Sequence, residues 1–357
     1  MLLSAAFRSI DSRILQPYHR ALDQEAVPAF LLRDQVKALK TTHKNKFSIS
    51  TGGPGVGKTT ITRCLINILE SAGNKVICAA PTGRAAKRMQ EATGHSAQTI
   101  HRLLEVATSG DGDDEWHFSR NADNPLQGNV FIFDESSMID NFLMSCLLDA
   151  IPEKAMVVFI GDVDQLPSVG AGQVLEDMIT SKAVAVSRLK TIFRQAATSK
   201  IITAAHDVNA GRMPVIENNP TDDFFFMEAE NNMKCGHKIL KLVDYISEKF
   251  ECDPIKDIQV LSPKRGSDVG TVNLNTLIQE QCNPEVALFR RKEEAKEKKK
   301  KNLPLTEEDQ TFLETSVKTP MLMGKEYIFA VGDKVMQISN NYTKGVFNGE
   351  IGVVQSI

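Results

Sequence analysis

The sequence predicts an α/β fold in which parallel strands alternate with crossover helices, and three observations carry that expectation. Short apolar runs at 75–80, 130–133 and 156–160 alternate with helix-length segments at 59–69, 84–92 and 142–150, a rhythm that implies a parallel sheet joined through helices. A β-prone run, FSIS at 47–50, leads directly into a glycine-rich turn, as in folds that hold ligands at the carboxyl ends of their strands. The apolar runs are also far shorter than the roughly 20 residues needed to cross a bilayer, so they belong to a core and no membrane span is expected.

Bulk properties set the scale. With 357 residues, 42% of them hydrophobic and 24% charged, the chain can bury a sizeable core and divide into two or three domains. Six cysteines (Cys64, Cys78, Cys146, Cys235, Cys252, Cys282) are scattered without a CxxC pair, which suggests neither a zinc site nor a disulfide framework. The N-terminal MLLSAAFRSIDSR is interrupted by Arg8, Asp11 and Arg13 and does not read as a secretory signal; reduced thiols in the cytoplasm are the expectation. A formal charge of −3 gives no global attraction to polyanions, so a nucleic acid would have to be met by a local channel of basic and hydrogen-bonding groups.

Along the chain, residues 1–45 read as helical and the α/β core begins at 46. A polar insertion at 105–128 combines the turn chemistry of SGDGDD with the strand-like EWHF, and reads as a hairpin holding the only tryptophan, Trp116. From 189 to 284 the rhythm repeats: a helical stretch to Ala210, a strand-like run at 224–227, a helix at 234–250 and a second strand-like run at 258–262. Residues 285–330 break it with FRRKEEAKEKKKKNLPLTEEDQ, read as a solvated charged insertion or a fraying helix, whose lysines at 296 and 298–301 are either solubilising surface or a grip on phosphates. From 331 to 357 apolar and polar residues alternate around turn signals such as Asn348-Gly349, a small β unit.

The strongest chemical signal is Gly52-Gly53-Pro54-Gly55-Val56-Gly57-Lys58-Thr59, with Thr60 following, which fits GxxxxGK[ST] after a strand and at the start of a helix. Glycines let backbone N–H groups wrap phosphates and the helix N-terminus favours their charge. Lys58 would reach the β and γ phosphates, and Thr59 would supply an oxygen to Mg²⁺. At the end of VFIF, Asp134 and Glu135 suggest a carboxylate for the metal shell and a base for an attacking water. A base beside the phosphates favours hydrolysis over transfer to a second substrate, and neither an NKxD-like guanine reader nor an acceptor motif is present. Gln165, in GDVDQLP, is either a γ-phosphate or water contact or a turn amide. Arg194, in IFRQ, is either a cation reaching developing charge across a cleft or a surface ion pair.

These motifs, with APTGRAAKRM at 80–89, TIHRLL at 99–104, FDESSMID at 133–140, GDVDQLPSVGAG at 161–172, GTVNLN at 270–275, GDKVMQISNNY and VFNGEIGVV, occur in the order found in superfamily 1 helicases of the RecD-like type, which the chain resembles from about residue 30 to 357. The resemblance implies an α/β P-loop NTPase with RecA-like domains, a β-hairpin insertion of the kind that splits duplexes, and the start of an SH3-like β unit at 331–357. It implies ATP and Mg²⁺ as cofactors, 5′ to 3′ translocation on single-stranded DNA, action at single-strand/double-strand junctions, and work in recombination and repair. Residue by residue, Gln35 would read adenine, Gln165 would couple the γ phosphate to movement and Arg194 would be an arginine finger. Pro81, Thr82, Thr99 and His101 would touch the strand, joined by Ser262 and Pro263 from the second domain. Locally, Thr82 reads equally as the cap of the helix that follows. The later TxHKxQG-type and arginine-bearing motifs of the family have no counterpart before Ile357. The expectation is therefore a fragment, or a chain completed by another, with RecBC-like nuclease subunits as possible partners. The alternative to a motor is a module that binds ATP and single-stranded DNA without unwinding.

Overall fold

The computed structural model describes residues 31–107, 117–192, 198–324, 327–339, 341, 344, 346 and 348–357. The helical reading of 1–30, Trp116 and Arg194 lie outside them. The chain forms two compact units, Met1–Phe225 and Phe226–Ile357.

The first unit opens with helix α1 (Arg33–Lys44), then strand β1 (Phe47–Thr51), helix α2 (Lys58–Ser71), β2 (Val76–Ala80), α3 (Gly83–Thr93), β3 (Ala97–Thr99) and the short α4 (Ile100–Leu103). A two-residue pair follows, β4 (Val106–Ala107) antiparallel to β5 (His117–Phe118), so both feet of the expected hairpin are present. Then come β6 (Val130–Phe133), α5 (Asn141–Ala150), β7 (Met156–Gly161), α6 (Val174–Thr180), β8 (Ala185–Arg188) and α7 (Lys200–Asn209). Six strands form one sheet in the order β3-β2-β6-β7-β1-β8, with every pairing parallel. The expected α/β fold is present.

Continuous apolar strands are what a sheet covered on both faces requires. Successive side chains of β6 alternate between two cores: Phe131 and Phe133 pack with Phe159, Leu143 and Leu147, while Val130 and Ile132 pack with Ile61, Leu65 and Leu69 of α2. The first core is aromatic at its centre, with the Phe133 and Phe159 rings 5.1 Å apart and Phe47 5.2 Å from Phe159. Burying each such ring contributes about 1.5–3 kcal/mol, so the strand ends that carry the site rest on a rigid support.

The second unit contains α8 (Asn232–Phe250), α9 (Thr271–Cys282), α10 (Pro284–Lys300), α11 (Glu307–Glu314) and four short strands, β9 (Met321–Met323), β10 (Ile328–Ala330), β11 (Lys334–Met336) and β12 (Ile351–Val353). β9 pairs with β10 and β11 with β12, both antiparallel. One expectation is corrected here. The strand-like runs at 224–227 and 258–262 are not strands: no described strand pairs with them, and Phe226, Met227 and Leu261 remain exposed, so β propensity alone does not hold a ladder. The charged insertion holds α10 and α11, in line with the helical alternative read for it, with Val286 and Ala295 buried and the Lys298 Nζ 3.0 Å from both carboxylate oxygens of Asp309. Lys296–Glu293 and Lys301–Glu297 pair along α10, the i,i+3 and i,i+4 spacing that supports a helix.

Candidate active site

The ends of four neighbouring strands deliver the polar residues. Residues 52–57 join β1 to α2. Gly57 sits in the left-handed region at φ 81°, as the N-cap of α2, a conformation that disfavours any side chain. Gly52 is hemmed in differently: a Cβ there would lie 2.6 Å from the Leu189 carbonyl oxygen. The loop leads directly into the first turn of α2, whose N-terminal N–H groups suit an anion.

Lys58 folds back over this loop, and its Nζ donates to the carbonyls of Gly52 at 2.5 Å and Gly53 at 3.1 Å. The same Nζ lies 3.6 Å from Asp162, whose side chain is 3% exposed. Asp162 follows β7, and β1 and β7 are bound together at this level by Gly52 N–H to the Gly161 carbonyl, 3.3 Å, and by Val163 N–H to the Thr51 hydroxyl, 3.3 Å. In the GDVDQ loop, Gln165 reads from sequence either as a γ-phosphate or water contact or as a turn amide. Asp162 is the one that meets Lys58, and its signal was the same as that of Asp134: an acid directly after an apolar strand. Gln165 is exposed, with its N–H on the Asp162 carbonyl at 3.2 Å.

Asp134 and Glu135 follow β6. Burial pushes the Asp134 carboxyl up to about 6, against the opposing effect of the Glu135 N–H, which donates to it at 2.9 Å. Such a group is poised to gain from a neighbouring cation. Glu135 itself holds φ 50° and ψ 41°, a left-handed backbone unusual for a non-glycine residue and frequent where a side chain is aimed for function. The arrangement therefore fits a metal-bound polyphosphate on an observation of its own: an ammonium satisfied by loop carbonyls, with a buried carboxyl of raised pKa at the same sheet edge.

Gln35, fully buried on α1, donates through Nε2 to the Val56 carbonyl at 3.0 Å and accepts from the Leu32 N–H at 3.0 Å. It fastens the start of α1 to the back of the phosphate loop. One position earlier, Asp34 accepts from the N–H groups of Lys190 and Thr191, both at 2.8 Å. Burial works to raise the Asp34 carboxyl, but those N–H donors hold it below its ordinary value.

The residues proposed from the resemblance to touch a strand fall into two sets. Pro81 and Thr82 follow β2, and Thr99 ends β3 directly opposite Ala80, so these share one edge with the phosphate loop. Thr82 and Thr99 hydroxyls cap the helices behind them, accepting from Ala85 N–H at 3.2 Å and Arg102 N–H at 3.1 Å. His101, half-buried, has its ring 6.0 Å from Phe118 in the foot of the hairpin, and burial lowers its basicity against the pull of Asp140. Ser262, beside Pro263 in the second unit, spends its hydroxyl on the Val269 and Lys264 carbonyls at 2.7 and 3.2 Å, closing the turn before α9.

An AAA domain family model matches residues 31–230, and the SH3 domain of ATP-dependent RecD-like DNA helicases matches residues 307–357. The latter starts earlier than the β unit read from the alternation at 331, taking in α11. The ATP-dependent RecD2 DNA helicase of Deinococcus radiodurans is 31% identical over 91% of this chain and 38% of its own length. The RecBCD enzyme subunit RecD of Mycolicibacterium smegmatis is 36% identical over 45% of this chain and 33% of its own. The chain thus spans between a third and two fifths of the length of these relatives. A Bacteroides Pif1 structure bound to single-stranded DNA superposes with a TM-score of 0.43 at 18% identity, covering 92% of this chain and 70% of that one. The phosphate loop, the carboxylates at the neighbouring strand ends and both domain matches place the chain in the RecD-like helicase family, as a nucleotide-binding P-loop protein.

Proposed function

We propose that this chain is the ATP-hydrolysing motor of a 5′ to 3′ DNA helicase, coupling hydrolysis to movement along single-stranded DNA in recombination and repair. The observation that carries the reading is the convergence of Lys58, Asp162, Asp134 and Glu135 on one edge of the sheet, with Lys58 and Asp162 3.6 Å apart. Gly52, Gly53, Pro54, Gly55, Val56, Gly57, Lys58, Thr59 and Thr60 hold the phosphates of ATP, and Gln35 supports the loop from behind while facing the base. Thr59 and Asp134 hold Mg²⁺, which when bound neutralises charge on the phosphate oxygens. Lys58 leaves its loop carbonyls for the phosphates. Glu135 orients a water and takes its proton, Gln165 senses the terminal phosphate, and Arg194 supplies the positive charge that the transition state demands.

Pro81, Thr82, Thr99 and His101 are the strand contacts of the first unit, and Ser262 and Pro263 those of the second. Junctions of single- and double-stranded DNA are the substrate, and another chain or nuclease subunits of the RecBC kind are its partners. A strand-displacement assay on duplexes with a 5′ or a 3′ tail tests this: unwinding from the 5′ tail alone is expected, and unwinding from the 3′ tail alone would overturn the polarity. The runs at 224–227 and 258–262, which form no strand, favour a second reading, a module that binds ATP and single-stranded DNA without unwinding. In that case both tailed duplexes are bound and neither is opened.

A further inference from the structure

His206, on α7, belongs to none of the motifs above, yet it touches the phosphate loop. A Cβ placed on Gly53 would lie 2.8 Å from the His206 Cε1, with Nδ1 at 3.5 Å and Nε2 at 3.6 Å, so the edge of the imidazole that carries both nitrogens is turned to the loop. Its Nε2 is buried and has no hydrogen-bond partner among the described residues. A buried ring nitrogen without a partner costs free energy, and an orphan of this kind in a well-packed unit calls for a partner that arrives later. The place where it waits is specific. Gly53 is one of the two residues whose carbonyls hold the Lys58 ammonium, and in phosphate loops that lysine reaches the β and γ phosphates.

We propose that His206 contacts the terminal phosphate of the bound nucleoside triphosphate through Nε2, so that the residue on α7 distinguishes triphosphate from diphosphate. The inference rests on the phosphate loop being the ATP site. It gives α7, which follows the segment holding Arg194, a direct report of which nucleotide is present. The alternative is that the ring is a wedge whose only task is to pack on Gly53.

Equilibrium affinities of the full chain for a non-hydrolysable ATP analogue and for ADP separate these readings, measured for wild type, His206→Phe, His206→Gln and Lys58→Ala. His206→Phe keeps a ring against Gly53 but has no nitrogen; it is expected to weaken the triphosphate analogue about tenfold and leave ADP within about twofold, the loss of one hydrogen bond to a charged group. His206→Gln, which returns an amide nitrogen near the Nε2 position, is expected to recover most of that loss. Equal binding of both nucleotides by wild type and His206→Phe, or an equal loss of both, overturns the proposal and leaves the wedge. Should the phenylalanine variant fail to fold, the ¹⁵N resonance of His206 Nε2 in the wild-type chain decides: it should shift with the triphosphate analogue and not with ADP, and an identical response to the two overturns the contact. Lys58→Ala is the separate control. Wild-type affinity in that variant would mean that the loop is not the nucleotide site at all, whatever His206 does.

Discussion

The Lys58 ammonium at the start of α2 and the Asp162 carboxylate directly after β7 lie 3.6 Å apart, the acid buried and the amine partly open. The pair holds the loop lysine at the mouth of its own loop, where an incoming phosphate would compete for it. Removing the cation has two consequences. Lys58→Ala should abolish ATP turnover, and it should also leave a buried carboxylate without its counter-charge, at a cost of about 1–3 kcal/mol. Urea unfolding of the variant in the absence of nucleotide measures the second effect; an unchanged midpoint would mean that the pair contributes nothing to the resting structure.

Glu135 is expected to separate binding from chemistry. Glu135→Gln keeps the size and the backbone while losing the base, so nucleotide affinity should persist and hydrolysis should fall by about 10²–10⁴. The left-handed backbone at this position, φ 50°, adds a second expectation. Glu135→Gly should be at least as stable as Glu135→Ala, because the glycine relieves a conformation that costs L-residues about 1–2 kcal/mol. Thermal melts of the two variants check the order.

Asp134 links the site to pH. Its carboxyl is raised by burial from an ordinary 3.8 to about 6, so the folded chain holds this proton more tightly than the unfolded one. The associated stability is full below pH 3.8 and is lost as pH rises through about 6, an effect of about 2–3 kcal/mol. Asp134→Asn should remove this part of the pH dependence and be the more stable protein at pH 7, while losing Mg²⁺-dependent turnover. Unfolding curves of both proteins at pH 4.5 and 7 give the difference, and parallel pH dependences would show that Asp134 is not the group responsible. In the wild type, Mg²⁺ should bind more weakly below pH 6, since metal and proton compete for the same oxygens.

Gln35 tests the support behind the loop. Gln35→Glu turns the donor facing the Val56 carbonyl into a second acceptor, replacing a 3.0 Å hydrogen bond with repulsion while preserving volume. ATP affinity should fall about tenfold, the equivalent of one lost buried hydrogen bond. Gln35→Ala should in addition narrow the preference for ATP over GTP. Competition binding with both nucleotides reads the two effects, and an unchanged ATP affinity in Gln35→Glu would remove Gln35 from the site.

What the sequence disclosed and what it withheld follow from how local each signal is. β6 and β7 are continuous apolar runs followed by an acid, and β1 leads straight into the glycine-rich loop, so strand, burial and the polar strand end were all written within a few residues; Asp134 and Glu135 were read this way, and Lys58 from the GxxxxGK[ST] spacing. Asp162 was visible as an acid after β7, but its pairing with Lys58 depends on β1 and β7 being neighbours, and sheet order is not a local property. His206 carried no signal, because a histidine on an amphipathic helix reads alike whether it faces a loop or a core. The runs at 224–227 and 258–262 show the opposite failure: their composition suits a strand, and a strand needs a partner that composition cannot supply. The helix in the charged insertion was only half legible: charge masked any apolar period, while the spacing of Glu293, Lys296, Glu297 and Lys301 allowed i,i+3 and i,i+4 pairing along one helix.

The rate of ATP hydrolysis by this chain, measured at low salt with and without single-stranded DNA and with Glu135→Gln as the blank, tests the central claim most directly. Mg²⁺-dependent turnover that rises with single-stranded DNA and vanishes in Glu135→Gln is the predicted result. Turnover that ignores DNA and survives in Glu135→Gln would contradict both the assigned base and the motor.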